Sequence, residues 1–178
     1  MSNTRLLEQY FGWTGILAEP ARVWHEALRR NRSAHIDHGC VWTETGESLA
    51  FVEARSAEFS TLGEFVDHDL HAGRRRQGSE SYRVSTISLV DLLGKHGAPR
   101  EIDYLSIDTE GSEFEILEAF DWQAYRFKVI TCEHNHDRAR SPIHRLLTAQ
   151  GYRRVLVECS EWDDWYVADE VWPRRSRV

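Results

Sequence analysis

Two periods organise the apolar residues of this chain. Leu6, Leu7, Tyr10 and Phe11 recur at helical spacing and predict a helix over 3–11, stopped by Gly12. The run Thr14-Gly15-Ile16-Leu17-Ala18 then predicts a short buried strand that ends in Glu19-Pro20. Pro20 suits the start of a helix over about 21–30, with Val23, Trp24, Ala27 and Leu28 on one side and arginines on the other. A further short strand is expected over 34–36 or onward towards Val41. Residues 43–80 break the rhythm: Gly46, Gly63, Gly73 and Gly78 punctuate polar runs, and Ser48 to Val52 is the one strand candidate. This excursion reads as a hairpin followed by a loop at 67–80.

Order returns at 82–87, an alternating strand. Ser88, with Asp91 three residues later, forms a variant capping box before Leu89, Leu92 and Leu93, and Gly97 and Pro99 close that helix. A buried strand at 104–107 follows. Ser112 with Glu115 is a second capping box, and Phe114, Leu117 and Phe120 bury the next helix. The run 127–132 is another buried strand. Ser141-Pro142 opens a helix through Leu146 and Leu147 that Gly151 ends. Strands at 152–157 and 165–167 flank an acidic turn. Strands alternating with helices predict βαβ units and a mostly parallel sheet. The last two strands lie too close in sequence for a crossover helix and predict an antiparallel hairpin.

The 178 residues suffice for a single domain over 1–178 with one sizeable core. A net charge of −7 makes nucleic acid a poor partner. The only basic run, Arg74-Arg75-Arg76, reads as a solvated loop. Cys40, Cys132 and Cys159 are odd in number and form no CxxC pair, which suits a reducing compartment. No apolar run is long enough to span a membrane, and the N-terminus lacks a basic-then-apolar signal pattern. A cytoplasmic protein without a membrane partner is the expectation; the oligomeric state stays open.

Open α/β sheets bind ligands beyond the carboxyl ends of their strands. Glu19 follows the 14–18 strand, Asp108 and Glu110 follow 104–107, and Glu133, His134 and Asn135 follow 127–132. These residues are therefore expected at one sheet edge. Each also has a plain structural role open to it. Glu19 either accepts from ribose hydroxyls or offsets the dipole of the 21–30 helix. Asp108 and Glu110 either do chemistry or favour the start of the following helix. The segment Glu133-His134-Asn135-His136-Asp137 has no recognised zinc spacing. A weak oxygen-ligand site built on Asp108 and Glu110 is the alternative, although no metal is expected.

The segments IDYLSIDTEGSEFEILEAFDW and VITCEHN resemble the FkbM-family methyltransferases. So do SNTRLLEQYFGWTGILAEP, STISLVDLLGKHG and DDWYV, in the same order along nearly the whole chain. The resemblance implies a Rossmann-like class I fold. It also implies transfer of a methyl group from S-adenosylmethionine to a hydroxyl of a sugar or other small molecule. Glu19 would then hold the donor's ribose, and 38–41, including Cys40, would lie near its adenine. Asp108 would stand between donor and acceptor and, with His134, carry the catalysis. Glu110, Glu133 and Asn135 would contact the acceptor. The chain departs from the family pattern at its start, where a first strand and glycine-rich turn are expected before the first helix. An N-terminally truncated sheet follows from that reading. Three arrangements stay open on that reading: a start upstream, direct pairing of the flanking strands, or a strand supplied by another chain. A non-catalytic binding module of the same fold is the alternative function, and a metal-dependent hydrolase on Asp108, Glu110 and His134 is a third.

Overall fold

The computed structural model describes residues 3–67, 72–75, 78–134 and 139–172. In chain order, α1 (Arg5–Phe11), β1 (Ile16–Ala18), α2 (Arg22–Asn31), β2 (His35–Asp37) and β3 (Cys40–Trp42) come first. They are followed by β4 (Ser48–Glu53), β5 (Thr61–Leu62), α3 (Ala72–Arg75), β6 (Glu80–Ser88), α4 (Leu89–Lys95) and β7 (Glu101–Ile107). The chain continues with α5 (Glu113–Ala119), β8 (Arg126–Glu133), α6 (Arg140–Ala149), β9 (Tyr152–Val155) and β10 (Asp163–Ala168).

Local chemistry sets several of these boundaries. Gly12 ends α1 in the left-handed region at φ 68°, where a residue without Cβ meets no steric cost. The Ser88 hydroxyl accepts from the Asp91 amide at 3.1 Å, so the first capping box forms as its spacing predicts. The second does not. Ser112 makes no side-chain cap bond, and its hydroxyl donates instead to Thr109 Oγ1 at 2.9 Å. Glu113 organises that turn, as described below.

The strands form three sheets rather than one. β1 and β2 pair in parallel as a two-stranded sheet; β7, β8, β10 and β9 form a second sheet in that order; β3, β6, β4 and β5 form a third. The expected mostly parallel arrangement gives way to a mixed one. β1–β2, β3–β6 and β7–β8 are parallel, whereas β4–β5, β4–β6, β8–β10 and β9–β10 are antiparallel. The physical reason lies in the connections: short links join β4 to β5 and β9 to β10, and only antiparallel neighbours close so tightly. The predicted terminal hairpin is present, with Trp165 opposite Val155. The 43–80 excursion is more than a hairpin and a loop. β4 pairs along its whole length with β6, which ties the excursion back to the main body.

Most of the core packs around the second sheet, where Ile107, Ile116, Leu117, Phe127, Ile130, Leu147, Tyr152 and Tyr166 are buried together. Tyr152 stays satisfied there by donating to the Phe127 carbonyl at 2.8 Å and accepting from the Phe127 amide at 3.2 Å. A smaller cluster of Ala21, Cys40, Phe51, Leu62, Phe65 and Val84 underlies the third sheet. The amphipathic reading of α1 and α2 holds for their period but not for their burial. Leu6, Tyr10, Phe11, Val23 and Trp24 are exposed. The basic run also differs from its solvated reading: Arg75 is fully buried. Residues 68–71 and Arg76 lie outside the described residues. Among the described residues, no helix is long and apolar enough to cross a membrane.

Ile130 lies at the centre of β8 with no exposed surface. Ile130→Ala is expected to destabilise the fold by about 2–5 kcal/mol through lost burial and a residual cavity, measured as a lower urea midpoint with unchanged m.

Candidate active site

The site is built on the parallel pairing of β7 and β8. Their register places Ile107 opposite Cys132, so the next residue on each strand, Asp108 and Glu133, emerge side by side at the carboxyl ends. One carboxylate oxygen from each of Asp108, Glu110 and Glu133 lies within 4.8 Å of the others. Two adjacent carboxylates, one of them buried, do not readily both stay ionised. Burial first, and then the charge of Asp108, raise the Glu133 pKa to about 11. Burial also raises the pKa of Asp108, and a hydrogen bond from Glu133 partly offsets that rise. Glu133 is therefore the protonated partner at neutral pH, donating to an ionised Asp108. Asp108 is accessible because it opens into a cavity, although protein surrounds it on its other sides.

The turn after β7 is held in a demanding conformation. Glu110 has φ 57° and Gly111 φ 121°. A Cβ on Gly111 would lie 3.3 Å from Phe65 atoms, so both the dihedral and the space favour glycine. The buried Glu113 carboxylate gathers this turn. It accepts from the Thr109 amide at 2.6 Å, the Thr109 hydroxyl at 2.9 Å and the Gly111 amide at 3.2 Å. Its sequence signal was present, as an acid in the first turn of a helix, but the predicted cap pointed to Ser112 and Glu115 instead. Glu110 turns its Oε2 to Arg75, 2.6 Å away and fully buried. Its carbonyl accepts from Thr61 Oγ1 at 2.9 Å. Glu110 thus clamps the turn to the third sheet. The guanidinium compensates its charge, which weakens the attraction of this acid cluster for a metal ion.

Glu19 follows β1, whose residues line the same cavity as Asp108. Its Oε1 accepts from the Ala21 amide at 2.8 Å, which is the helix-start role open to it from sequence. Its Oε2 has no hydrogen-bond partner among the described residues. Burial first, and then the negative charges of Asp108 and Glu53, raise its pKa to about 7. The Cys40 thiol is buried near Glu19, and burial together with that charge pushes its pKa up to about 12, so it stays protonated. His134 is buried at the end of β8, and its Nε2 lies 3.8 Å from Asp164 Oδ1. Burial opposes ionisation of Asp164, yet Arg140, which donates to both its oxygens at 2.9 and 2.8 Å, holds its pKa below the usual value. His134 thus faces an ion-paired aspartate, and the acid grouping of Asp108, Glu110 and Glu133 does not include it. Asn135 lies outside the described residues. Asp163, which sequence reasoning passed over, pairs opposite Glu133 in the β8–β10 register and feels the charge of Asp108.

The methyltransferase FkbM domain model matches residues 2–154. The chain belongs to the FkbM methyltransferase family. No curated protein and no solved structure matches it significantly. The match takes in β1, β7, β8 and all three acids of the Asp108–Glu110–Glu133 grouping, and it ends within β9. An FkbM-family chain with this strand-end geometry is a methyltransferase candidate whose polar residues sit where α/β sheets bind ligands.

Removing the Arg75 guanidinium takes away the cation that pairs with the buried Glu110 carboxylate. Arg75→Ala is expected to cost about 3–5 kcal/mol in chemical denaturation, and Arg75→Met combined with Glu110→Gln should recover much of that loss. Glu19 supplies a pH test. Its pKa rises from 4.5 to about 7 on folding, so the native state holds a proton that the unfolded chain has released. Its stabilising contribution is full below about 4.5 and is lost as pH rises through about 7, at no more than ~1.4 kcal/mol per pH unit. Denaturation midpoints across this window should fall less steeply in Glu19→Gln than in the parent.

Proposed function

We propose that this chain transfers a methyl group from S-adenosylmethionine to a hydroxyl of a small molecule or sugar. The Asp108–Glu133 carboxyl pair, with one proton between them at the carboxyl ends of β7 and β8, carries this reading. The donor set fits the methyl donor. Glu19 keeps an oxygen without a hydrogen-bond partner among the described residues for ribose hydroxyls, and Asp108 supplies negative charge that would stabilise a sulfonium. S-adenosylmethionine, when bound, supplies an electrophilic methyl group on a positively charged sulfur. Cys40 would lie near the donor's adenine, a role that follows from the family resemblance and is consistent with its nearness to Glu19.

The protein's contribution is chiefly placement. Asp108, ionised and open to the cavity, accepts the acceptor's hydroxyl proton as the oxygen develops nucleophilic character. Glu133 donates its hydrogen bond to Asp108 and tunes the basicity of that carboxylate. Glu110 holds the turn in position through Arg75, and Glu133 and Glu110 border the acceptor side in this reading, while Asn135 takes an acceptor role from the family resemblance alone. His134 acts at one remove, orienting the end of β8 against Asp164. A general base in this position typically contributes ~10²–10⁴-fold to the rate.

Asp108→Asn should lower single-turnover methyl transfer to a hydroxyl acceptor by ~10²–10⁴-fold while calorimetry still detects donor binding. Equal turnover in the variant would remove Asp108 from the role of base. A second reading, a non-catalytic module of the same fold that does not bind the donor productively, draws on the open cavity beside Asp108. Calorimetry with S-adenosylmethionine separates the two, because micromolar binding argues against that module and the absence of heat argues for it.

A further inference from the structure

A second cavity, of about 620 Å³, is lined by none of Asp108, Glu110 and Glu133. Arg22 and His25 reach it from α2, His38 from the turn after β2, Arg83 and Ser85 from β6, and Lys95 from α4. The chain as a whole carries a net charge of −7, yet this lining is cationic. Arg22, Arg83 and Lys95 face a single lining carboxylate, Asp37. That carboxylate is already engaged. Its Oδ1 accepts from the Gly39 amide at 2.8 Å, and its Oδ2 accepts from Lys95 at 2.7 Å and lies 2.8 Å from His96 Nε2. Asp37 thus offsets Lys95 and leaves two guanidinium charges over. Arg22 lies 3.9 Å over the Tyr82 ring, and Arg83 donates to Ser48 Oγ at 3.0 Å; neither has an ion pair among the described residues. Two acids close by are turned to other donors, Glu53 to the Tyr82 hydroxyl and Asp91 to the Thr45 hydroxyl.

Uncharged donors join these cations. A guanidinium only donates, and Arg29 Nη2 lies 3.2 Å from His38 Nε2, so that nitrogen accepts and the ring proton sits on Nδ1. The His38 ring is held by stacking on His25, with centroids 3.6 Å apart. The Ser85 hydroxyl has no hydrogen-bond partner among the described residues. We propose that this cavity binds the phosphate group of a phosphorylated small molecule. Two guanidinium charges without a carboxylate match the charge of a phosphate monoester, about −1.5 to −2 at neutral pH, whereas a carboxylate ligand would leave one of them over. Arginine, an imidazole N–H and a hydroxyl together supply the several donors that phosphate oxygens accept from. Sites for small organic molecules span roughly 300–1,000 Å³, so the cavity has room for the organic part beside the phosphate. S-adenosylmethionine has no phosphate. The site therefore serves a second ligand, and the inference rests on charge and not on methyl transfer.

The test is calorimetry on the whole chain with glycerol 3-phosphate as the probe, at an ionic strength held constant with sodium chloride. Inorganic phosphate, glycerate and adenosine are the comparison ligands. The expected result is saturable binding of glycerol 3-phosphate, with weaker binding of inorganic phosphate and of glycerate. Arg22→Gln removes a guanidinium, and Ser85→Asp sets a like charge beside the phosphate; each should weaken the probe by at least ~10-fold. Both positions are exposed, and circular dichroism checks that the variants fold. Should either fail to fold, the ligand series still decides. The proposal is overturned if the probe does not bind, or if it binds both variants as tightly as the parent. Inorganic phosphate bound as tightly as the probe marks an adventitious ion only, and glycerate bound as tightly marks a general anion site; either overturns it. Displacement of the probe by adenosine assigns the cavity to the methyl donor and overturns it too.

Discussion

The parallel register of β7 and β8 is the constraint on which the rest of the site depends. Because Ile107 stands opposite Cys132, Asp108 and Glu133 leave their strands together. A shift of one residue would turn every side chain of one strand to the other face and separate the two carboxyls. That register is enforced by burial: Ile107, Ile130 and Cys132 all belong to the main core, so slippage would expose them. The hydrophobic core thus forces two acids into contact, and burial, with the charge of Asp108 beside it, raises the Glu133 pKa until it keeps a proton that ordinary glutamates lose.

A second layer of interactions holds the turn that carries these acids. The chain leaves β7 through a positive φ at Glu110 and at Gly111, a conformation that costs energy at the non-glycine position. Three groups offset it. Glu113 accepts from the Thr109 and Gly111 amides, Arg75 pairs with Glu110, and Thr61 donates to the Glu110 carbonyl. Two of these partners, Arg75 and Thr61, come from the 43–80 excursion, which has little periodicity in sequence. That excursion is therefore part of the candidate site's scaffold, and its third sheet grips the back of the turn that follows β7.

Much of the architecture was legible in the residues. Strand β8, helix α4 with its Ser88 cap, and the β9–β10 hairpin follow from periodicity and capping chemistry, because each depends on neighbours within about ten residues. The placement of Glu19, Asp108 and Glu133 at strand ends was legible for the same reason. What failed to read was set by distant partners. Arg75 sits in a basic run that looks solvated, yet it is buried where the Phe59 carbonyl and Glu110, far along the chain, accept from it. His134 follows a strand end as expected, yet Asp164 and Arg140 decide what its ring meets.

By itself the sequence determined the local elements, the acids at the strand ends and membership of the FkbM methyltransferase family, since these lie in short-range pattern and in residues met in order. The tertiary structure decided how the strands divide into three sheets, which carboxyl of the Asp108–Glu133 pair keeps the proton, and where cationic side chains from α2, β6 and α4 gather around a second cavity. Those outcomes depend on burial and on charges brought together from separate segments. Desolvation and long-range pairing have no signature in local spacing, so only the folded chain could set them.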